Sequence, residues 1–255
     1  MNTVLGPIVC NWREPERPGR FELEGAYARL EPLDSDRHCR ELFSAYQEDR
    51  EGRVWDYLPY GPFDSLARYT SWVDEAALSN DPLFFAIRDK SSRRAGGVAS
   101  YLRVKPAQGS IEVGHINLAP PLQQTRAATD AMYLMMKWAF TAGYRRYEWK
   151  CNALNVRSRR AAERLGLSYE GVFRQATISK GRNRDTAWFA AIDGEWPALE
   201  RAFENWLSQE NFDGNGRQRR RLAAMTLPIL ATRDPILSGQ SDPENVRHGE
   251  SPAAR

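Results

Sequence analysis

The stretch from Ile111 to Phe140 constrains this chain more than any other. A strand-like run over residues 110–118 is followed by Pro120-Pro121, and a helix over about residues 125–142 opens almost at once. On that helix Ala128, Ala131, Met132, Met135, Trp138 and Ala139 share one face, and Gly143 ends it. A strand that leads straight into a helix exposes the helix's first amides. Those unpaired N–H groups and the helix dipole favour a bound anion, typically a phosphate. The turn reads Gln123-Gln124-Thr125-Arg126-Ala127-Ala128, and the small residues at 127 and 128 let a ligand approach the backbone. An ordinary helix start packed on a sheet satisfies the same spacing, so spacing alone leaves both readings open.

The flanking sequence alternates strands and helices. Strands are expected over residues 26–33, 83–88, 96–105, 110–118, 145–151, 168–178 and 186–193. Helices are expected over 35–47, 65–79, 125–142, 156–165 and 196–208. Residues 1–21 carry Pro7, Pro15 and Pro18 and read as an N-terminal arm. Residues 22–208 read as one α/β domain. From 209 to 255 Gly, Pro, Ser and charge dominate, with the basic run Arg217–Arg221, so a mostly disordered basic tail is expected.

Composition narrows the function classes. With 255 residues and 42% hydrophobic content, a sizeable core is within reach. A net charge of +3 does not mark a nucleic-acid or membrane binder, and five residues in a tail are weak grounds for nucleic acid. Cys10, Cys39 and Cys151 are widely spaced and odd in number, a poor disulfide framework and a poor zinc site. His38, His115 and His248 show no metal-ligand spacing, so no metal is expected. No signal peptide or transmembrane run is recognisable, and a reduced, cytoplasmic protein is the default.

The turn at 123–128 resembles the Q/R-x-x-G-x-G/A pyrophosphate loop of the GNAT acyltransferase superfamily, with Arg126 where Gly is usual. Glu112-Val113-Gly114-His115-Ile116 resembles that family's fourth strand. Asn155-Val156-Arg157-Ser158, followed by a helix ending in Leu165-Gly166-Leu167, resembles its second cofactor motif. Tyr169-Glu170-Gly171 matches the E-G that opens the next strand. The resemblance covers about residues 21–208 and is nearest to the branch that acetylates the N-termini of ribosomal proteins. It implies a GNAT-like mixed α/β (α+β) fold, with about seven mostly antiparallel strands and flanking helices.

The resemblance implies an N-acetyltransferase that uses acetyl-CoA as co-substrate and a primary amine as acceptor, either a protein N-terminus or a small molecule. Ile116, Asn117, Leu118, Gln123, Gln124, Thr125, Arg126, Ala127, Ala128, Asn155 and Ser158 are the expected cofactor contacts. Arginine does not take positive φ easily, so the turn is expected to enter its helix with right-handed geometry and to add a guanidinium contact to phosphate. Glu112 is the leading base candidate and His115 the second; Ser158 is the expected donor to the departing thiolate. Strand alternation places Glu112, Gly114 and Ile116 on one face and Val113, His115 and Asn117 on the other. The branch's glutamate after E-G is absent, with Thr177 near its place. The aromatic loop with Trp55, Tyr57 and Tyr60 is expected to wall the acceptor site, faced by Arg182, Asn183, Arg184 and Asp185. Arg159, Arg160 and Arg164 read as the solvated face of their helix, with Arg157 or Arg159 reaching the cofactor's 3′-phosphate as the alternative. Two alternatives stay open: an acyl-CoA sensor that has lost catalysis, and a nucleic-acid-associated protein acting through Arg217–Arg221; the oligomeric state is left open, a dimer included.

Overall fold

The computed structural model describes residues 5–238. One eight-stranded sheet organises them: β1 (Leu23–Glu24), β2 (Ala28–Pro32), β3 (Leu83–Asp89), β4 (Ala95–Lys105), β5 (Ser110–Leu118), β6 (Arg146–Asn152), β7 (Ser168–Ser179) and β8 (Arg182–Ile192). Their spatial order is β1-β2-β3-β4-β5-β6-β8-β7. Every neighbouring pair is antiparallel except β5 and β6, which run parallel. A parallel pair needs a crossover, and the helix α3 described below supplies it.

The sheet has one strand more than expected, because two residues ahead of β2 pair back onto it. It also gains length in β8. The turn there is only Lys180-Gly181, both at positive φ, so the ladder resumes at Arg182 rather than near Thr186.

Helices α1 (Ser35–Tyr46) and α2 (Leu66–Leu78) cover one face. Asp34 and Ser65 cap them by accepting from the amides of Arg37 and Arg68. Their apolar sides enclose Leu42, Tyr46, Tyr69 and Val73 with Phe84 and Val98 of the sheet. The other face carries α3 (Arg126–Thr141), α4 (Val156–Arg164) and α5 (Trp196–Leu207). There Ala131, Met135 and Ala139 of α3 pack on Ile111, Val113 and Tyr147. Asp130, buried on α3, accepts from the amides of Tyr27 and Ala28 and ties the helix to β2.

Residues 209–238 depart from the expected disordered tail. They form α6 (Leu222–Thr226), α7 (Pro235–Ser238) and short 3-10 turns, and they pack on α4, α5 and β7. The segment has no sustained hydrophobic period because single anchors hold it. Leu222, Thr226 and Asp234 are each fully buried. Thr226 donates to the carbonyl of Arg164, and the Ala231 amide donates to the Ser168 hydroxyl. The part of that expectation beyond 238 lies outside the described residues. The N-terminal arm also lies against the domain: Arg17 donates to the Val104 carbonyl, and Phe21 meets Phe85 and Trp138. Among the described residues no helix is long and apolar enough to cross a membrane.

Candidate active site

The site begins with a break in the sheet. The parallel ladder of β5 and β6 runs from Ser110↔Arg146 to Val113↔Trp149 and stops, though both strands continue. The cause is a bulge. On the other side of β5, Ser100 pairs with Gly114 and Val98 with Asn117, so β5 carries an extra residue there. His115 absorbs it at φ 50°, an uncommon conformation for a side chain with a Cβ. The strands part beyond this point and leave a cleft.

The bulge overturns the alternation expected from sequence. His115 does not join Val113 under α3. Its ring stacks on Tyr60 at 5.6 Å and tilts against Phe84 at 5.2 Å, on the α1–α2 side. Ile116 instead packs with the α3 core. Asn117 is buried with neither end of its amide paired among the described residues, while its carbonyl accepts from the Tyr46 hydroxyl.

One end of the cleft is the turn into α3. The amides of Gln124, Thr125, Arg126 and Ala127 have no hydrogen-bond partner among the described residues. Thr125 caps the next one, accepting from Ala128 at 3.0 Å. Gln123 donates from its side chain to the Leu118 carbonyl and pins the turn to the end of β5. Positive φ does occur in this turn, but at Gln124 (φ 60°), two residues before the position where glycine was anticipated. Arg126 can therefore be helical. A left-handed residue ahead of a helix start collects successive free amides into an anion cradle. The Arg126 guanidinium lies elsewhere: it rests 3.6 Å from the Phe212 ring centre and 5.5 Å from that of Tyr27. Residues 209–238 bring Phe212 to the guanidinium, and this stacking is its position in the structure.

The second helix start borders the cleft on the β6 side. Asn155 caps α4 by accepting from the Ser158 amide. Ser158 accepts from the Trp149 indole at 3.0 Å, which leaves its own hydrogen free to donate. The Ser158 hydroxyl neighbours the Cys151 thiol, which burial pushes up to about 11. Arg159, expected in solvent, is buried. It holds Asp234 through two bonds of 2.6 Å and donates to the Ala153 carbonyl. Arg164 also leaves the solvated face, lying over Trp206 and donating to Thr129.

At the far end the groups are acid, base and aromatic. Glu112 is buried and pairs with Arg103 at 2.7 Å and Lys150 at 2.8 Å. Burial pushes its carboxyl up, against the pull of Lys150 and Arg103. Burial, helped by Arg103 and Arg184, pushes His115 down to about 4. Tyr60 stacks on His115 with its hydroxyl buried and unpartnered among the described residues. Tyr57 is exposed, and its hydroxyl donates to the Leu154 carbonyl. Trp55 is not a wall of the site: it is buried among Tyr46, Phe63 and Tyr69 and serves as core under the loop. Arg182 is exposed near the β7–β8 turn. Lys180, unremarked in the sequence, reaches the aromatic loop instead, donating to the carbonyls of Trp55 and Gly61. Arg103 and Lys150 carried no motif, and only strand register reveals them.

The sequence profile of the Acetyltransferase (GNAT) domain matches residues 28–168, which spans the cleft, the α3 turn and α4. The chain belongs to the GNAT acetyltransferase family. Among solved structures it is similar to a GCN5-related N-acetyltransferase from Brucella melitensis, with 45% identity and a TM-score of 0.84 over 86% of this chain and 99% of that one. A probable GNAT-family acetyltransferase from Chromobacterium violaceum matches at 38% identity and TM-score 0.71, over 77% of this chain and 98% of that one. A ribosomal L7/L12 alpha-N-protein acetyltransferase, RimL, shares the fold at 19% identity and TM-score 0.57, over 70% and 99% of the two chains. No curated protein matches the sequence. The GNAT fold and family anticipated from the motifs both hold. For this GNAT protein the decisive geometry is the β5–β6 cleft, with free amides at one end and buried, underused polar groups at the other.

Proposed function

We propose that this protein transfers the acetyl group of acetyl-CoA to an amine by direct attack in the β5–β6 cleft. The observation that carries the proposal is the run of four unpaired amides at residues 124–127, set on one side of a cleft that Ser158 borders and under which Glu112 lies buried. Those amides suit a pyrophosphate, and the parted strands suit an extended pantetheine arm. Acetyl-CoA supplies the acetyl thioester. The protein must then remove a proton from the amine, stabilise an oxyanion and protect the departing sulfur.

Glu112 is the proposed base. Its raised pKa lies in the direction a base needs, and Arg103 and Lys150 orient it. His115 is unsuited to that task, since a group held near 4 binds a proton too weakly at neutral pH. We assign it to positioning the acceptor, with Tyr60. The edge of β5 beyond Val113, without a β6 partner, supplies backbone donors for the oxyanion. Ser158 is the proposed donor to the sulfur, its oxygen already held by Trp149. The acceptor's own pKa sets the demand: an α-amine near ~7.7–8.0 needs little help at neutral pH, a lysine near ~10.4 far more. A protein N-terminus or a small amine of similar pKa is therefore the favoured acceptor class.

The test is calorimetric titration with acetyl-CoA, followed by thiol-release assays against α-amino peptides, lysine peptides and small amines. Binding with transfer to α-amines is the expected result. Tight binding without transfer to any amine identifies an acyl-CoA sensor, and absence of binding refutes the proposal.

A further inference from the structure

One cation in the cleft lacks the partner that its burial demands. Arg184 lies on β8 opposite Thr177, beside the end of β6, where the Ala153 amide donates to the Asp185 carbonyl. It is only partly exposed, its Nε is buried without a hydrogen-bond partner, and it forms no ion pair among the described residues. The cations nearest along the sheet are satisfied: Arg103 by Glu112, and Lys150 by Glu112 and Glu148. Arg184 is thus the unmatched charge of the group. Strand alternation puts Trp188 on the same face of β8, and its indole N–H is likewise buried and unpaired. Lys150 covers the Trp188 ring at 3.8 Å. Two donor-only groups, Arg184 Nε and Trp188 Nε1, therefore await an acceptor atom. A buried guanidinium is stable only when it is paired, and it pairs best with an oxyanion.

We propose that the acceptor amine carries an oxyanionic group, a carboxylate or a phosphate, and that Arg184 binds it. The inference rests on the proposed acetyl transfer. The pyrophosphate of acetyl-CoA is assigned to the amides at 124–127, its 3′-phosphate lies at the nucleotide end, and its reacting end is uncharged, so an anion at Arg184 arrives with the acceptor. The position of Arg184 agrees: its charge is felt at His115 and at Cys151, and it feels that of Glu112. An amine without an anion meets Arg103 and Arg184 together. An amine tethered to an anion is drawn in, and the same positive field favours its neutral, reactive form.

The probes are ω-amino acids of increasing length, from glycine to γ-aminobutyrate, each compared with its amide, and phosphoethanolamine compared with ethanolamine. At matched amine pKa the anionic member is expected to show at least tenfold higher kcat/KM, mainly through KM. Arg184→Gln is expected to collapse that ratio toward one, and Arg184→Lys to retain part of it; circular dichroism checks that both fold. Whichever series shows the preference identifies carboxylate or phosphate as the source. Equal kcat/KM for charged and neutral members, or equal loss for both in Arg184→Gln, overturns the proposal. Calorimetry supplies a readout independent of turnover. N-acetyl-β-alanine should bind the CoA-loaded protein more tightly than its amide, and Arg184→Gln should abolish the difference. If no amine is acetylated, this titration decides: no preference for the acid overturns the assignment of Arg184. Binding of acetyl-CoA itself, measured alongside, reports on the proposed function alone.

Discussion

Asp234→Ala is the sharpest test of the idea that residues 209–238 belong to the working enzyme. Asp234 is fully buried and accepts from Nε and a terminal nitrogen of Arg159, each at 2.6 Å. Arg159 is 1% exposed, and its other bond goes to the Ala153 carbonyl. Removing the carboxylate leaves a guanidinium buried with one neutral acceptor. Breaking a buried pair in this way costs about 3–5 kcal/mol. At roughly 2–4 °C per kcal/mol for a chain of this size, Tm should fall by about 6–20 °C. Urea denaturation of the full chain, with Tm as a second measure, provides the assay. The charge-free double variant Arg159→Met/Asp234→Leu should recover most of the loss, since apolar replacement of a buried pair is often neutral. Acetyl-CoA affinity should fall with Asp234→Ala as well, because Arg159 steadies the 152–155 turn from which Asn155 caps α4. A stability loss below about 1 kcal/mol would refute the reasoning, being the size expected of an exposed pair. An unchanged affinity alongside a large stability loss would separate folding from cofactor binding.

Three further outcomes follow from the site. Glu112→Gln should lower kcat by about 10²–10⁴ and remove the acidic limb of the pH–rate profile; a limb that survives in the variant excludes Glu112 as base. His115 has a folded pKa of about 4, below the ordinary value of 6.5. Between those values the unfolded chain binds more protons there, so stability is present above 6.5 and falls toward pH 4, by up to about 1.4 kcal/mol per pH unit. His115→Gln should flatten that part of the stability–pH curve, and an unaltered slope counts against the depressed pKa. Arg126→Ala should weaken acetyl-CoA binding by a factor that does not change with salt, since the guanidinium is stacked on Phe212. A loss that vanishes at high salt would restore the phosphate contact.

Much of this arrangement was legible in the residue pattern because it depends on local chemistry. Thr125 and Asn155 cap their helices as side chains of their type do, and the elements from β2 to α5 fall close to where periodicity puts them. What stayed hidden depends on register and on distant chain. The bulge at His115 adds one residue, and strict alternation cannot survive it. Ile116 and His115 exchange faces as a result. Gln124 takes the positive φ that a motif with glycine at 126 suggested for the wrong place. Arg159 looks solvated on its own helix; only Asp234, 75 positions later, explains its burial. Trp55 belonged to an aromatic loop whose inner and outer members cannot be told apart without the α1–α2 packing beneath it.

The same distant segment meets both helix starts that frame the cleft. Phe212 lies under Arg126, the first residue of α3, and Asp234 holds Arg159 in the first turns of α4. The match to the GNAT domain ends at residue 168, ahead of both contacts. These helix starts carry the groups assigned to phosphate and to sulfur, and their positions matter because amide and hydroxyl donors act only over short, directed distances. A strap that grips both at once couples their spacing. Loosening either grip should therefore disturb the cleft as a whole rather than one contact, which is why Asp234, remote from the proposed chemistry, is expected to register in acetyl-CoA affinity.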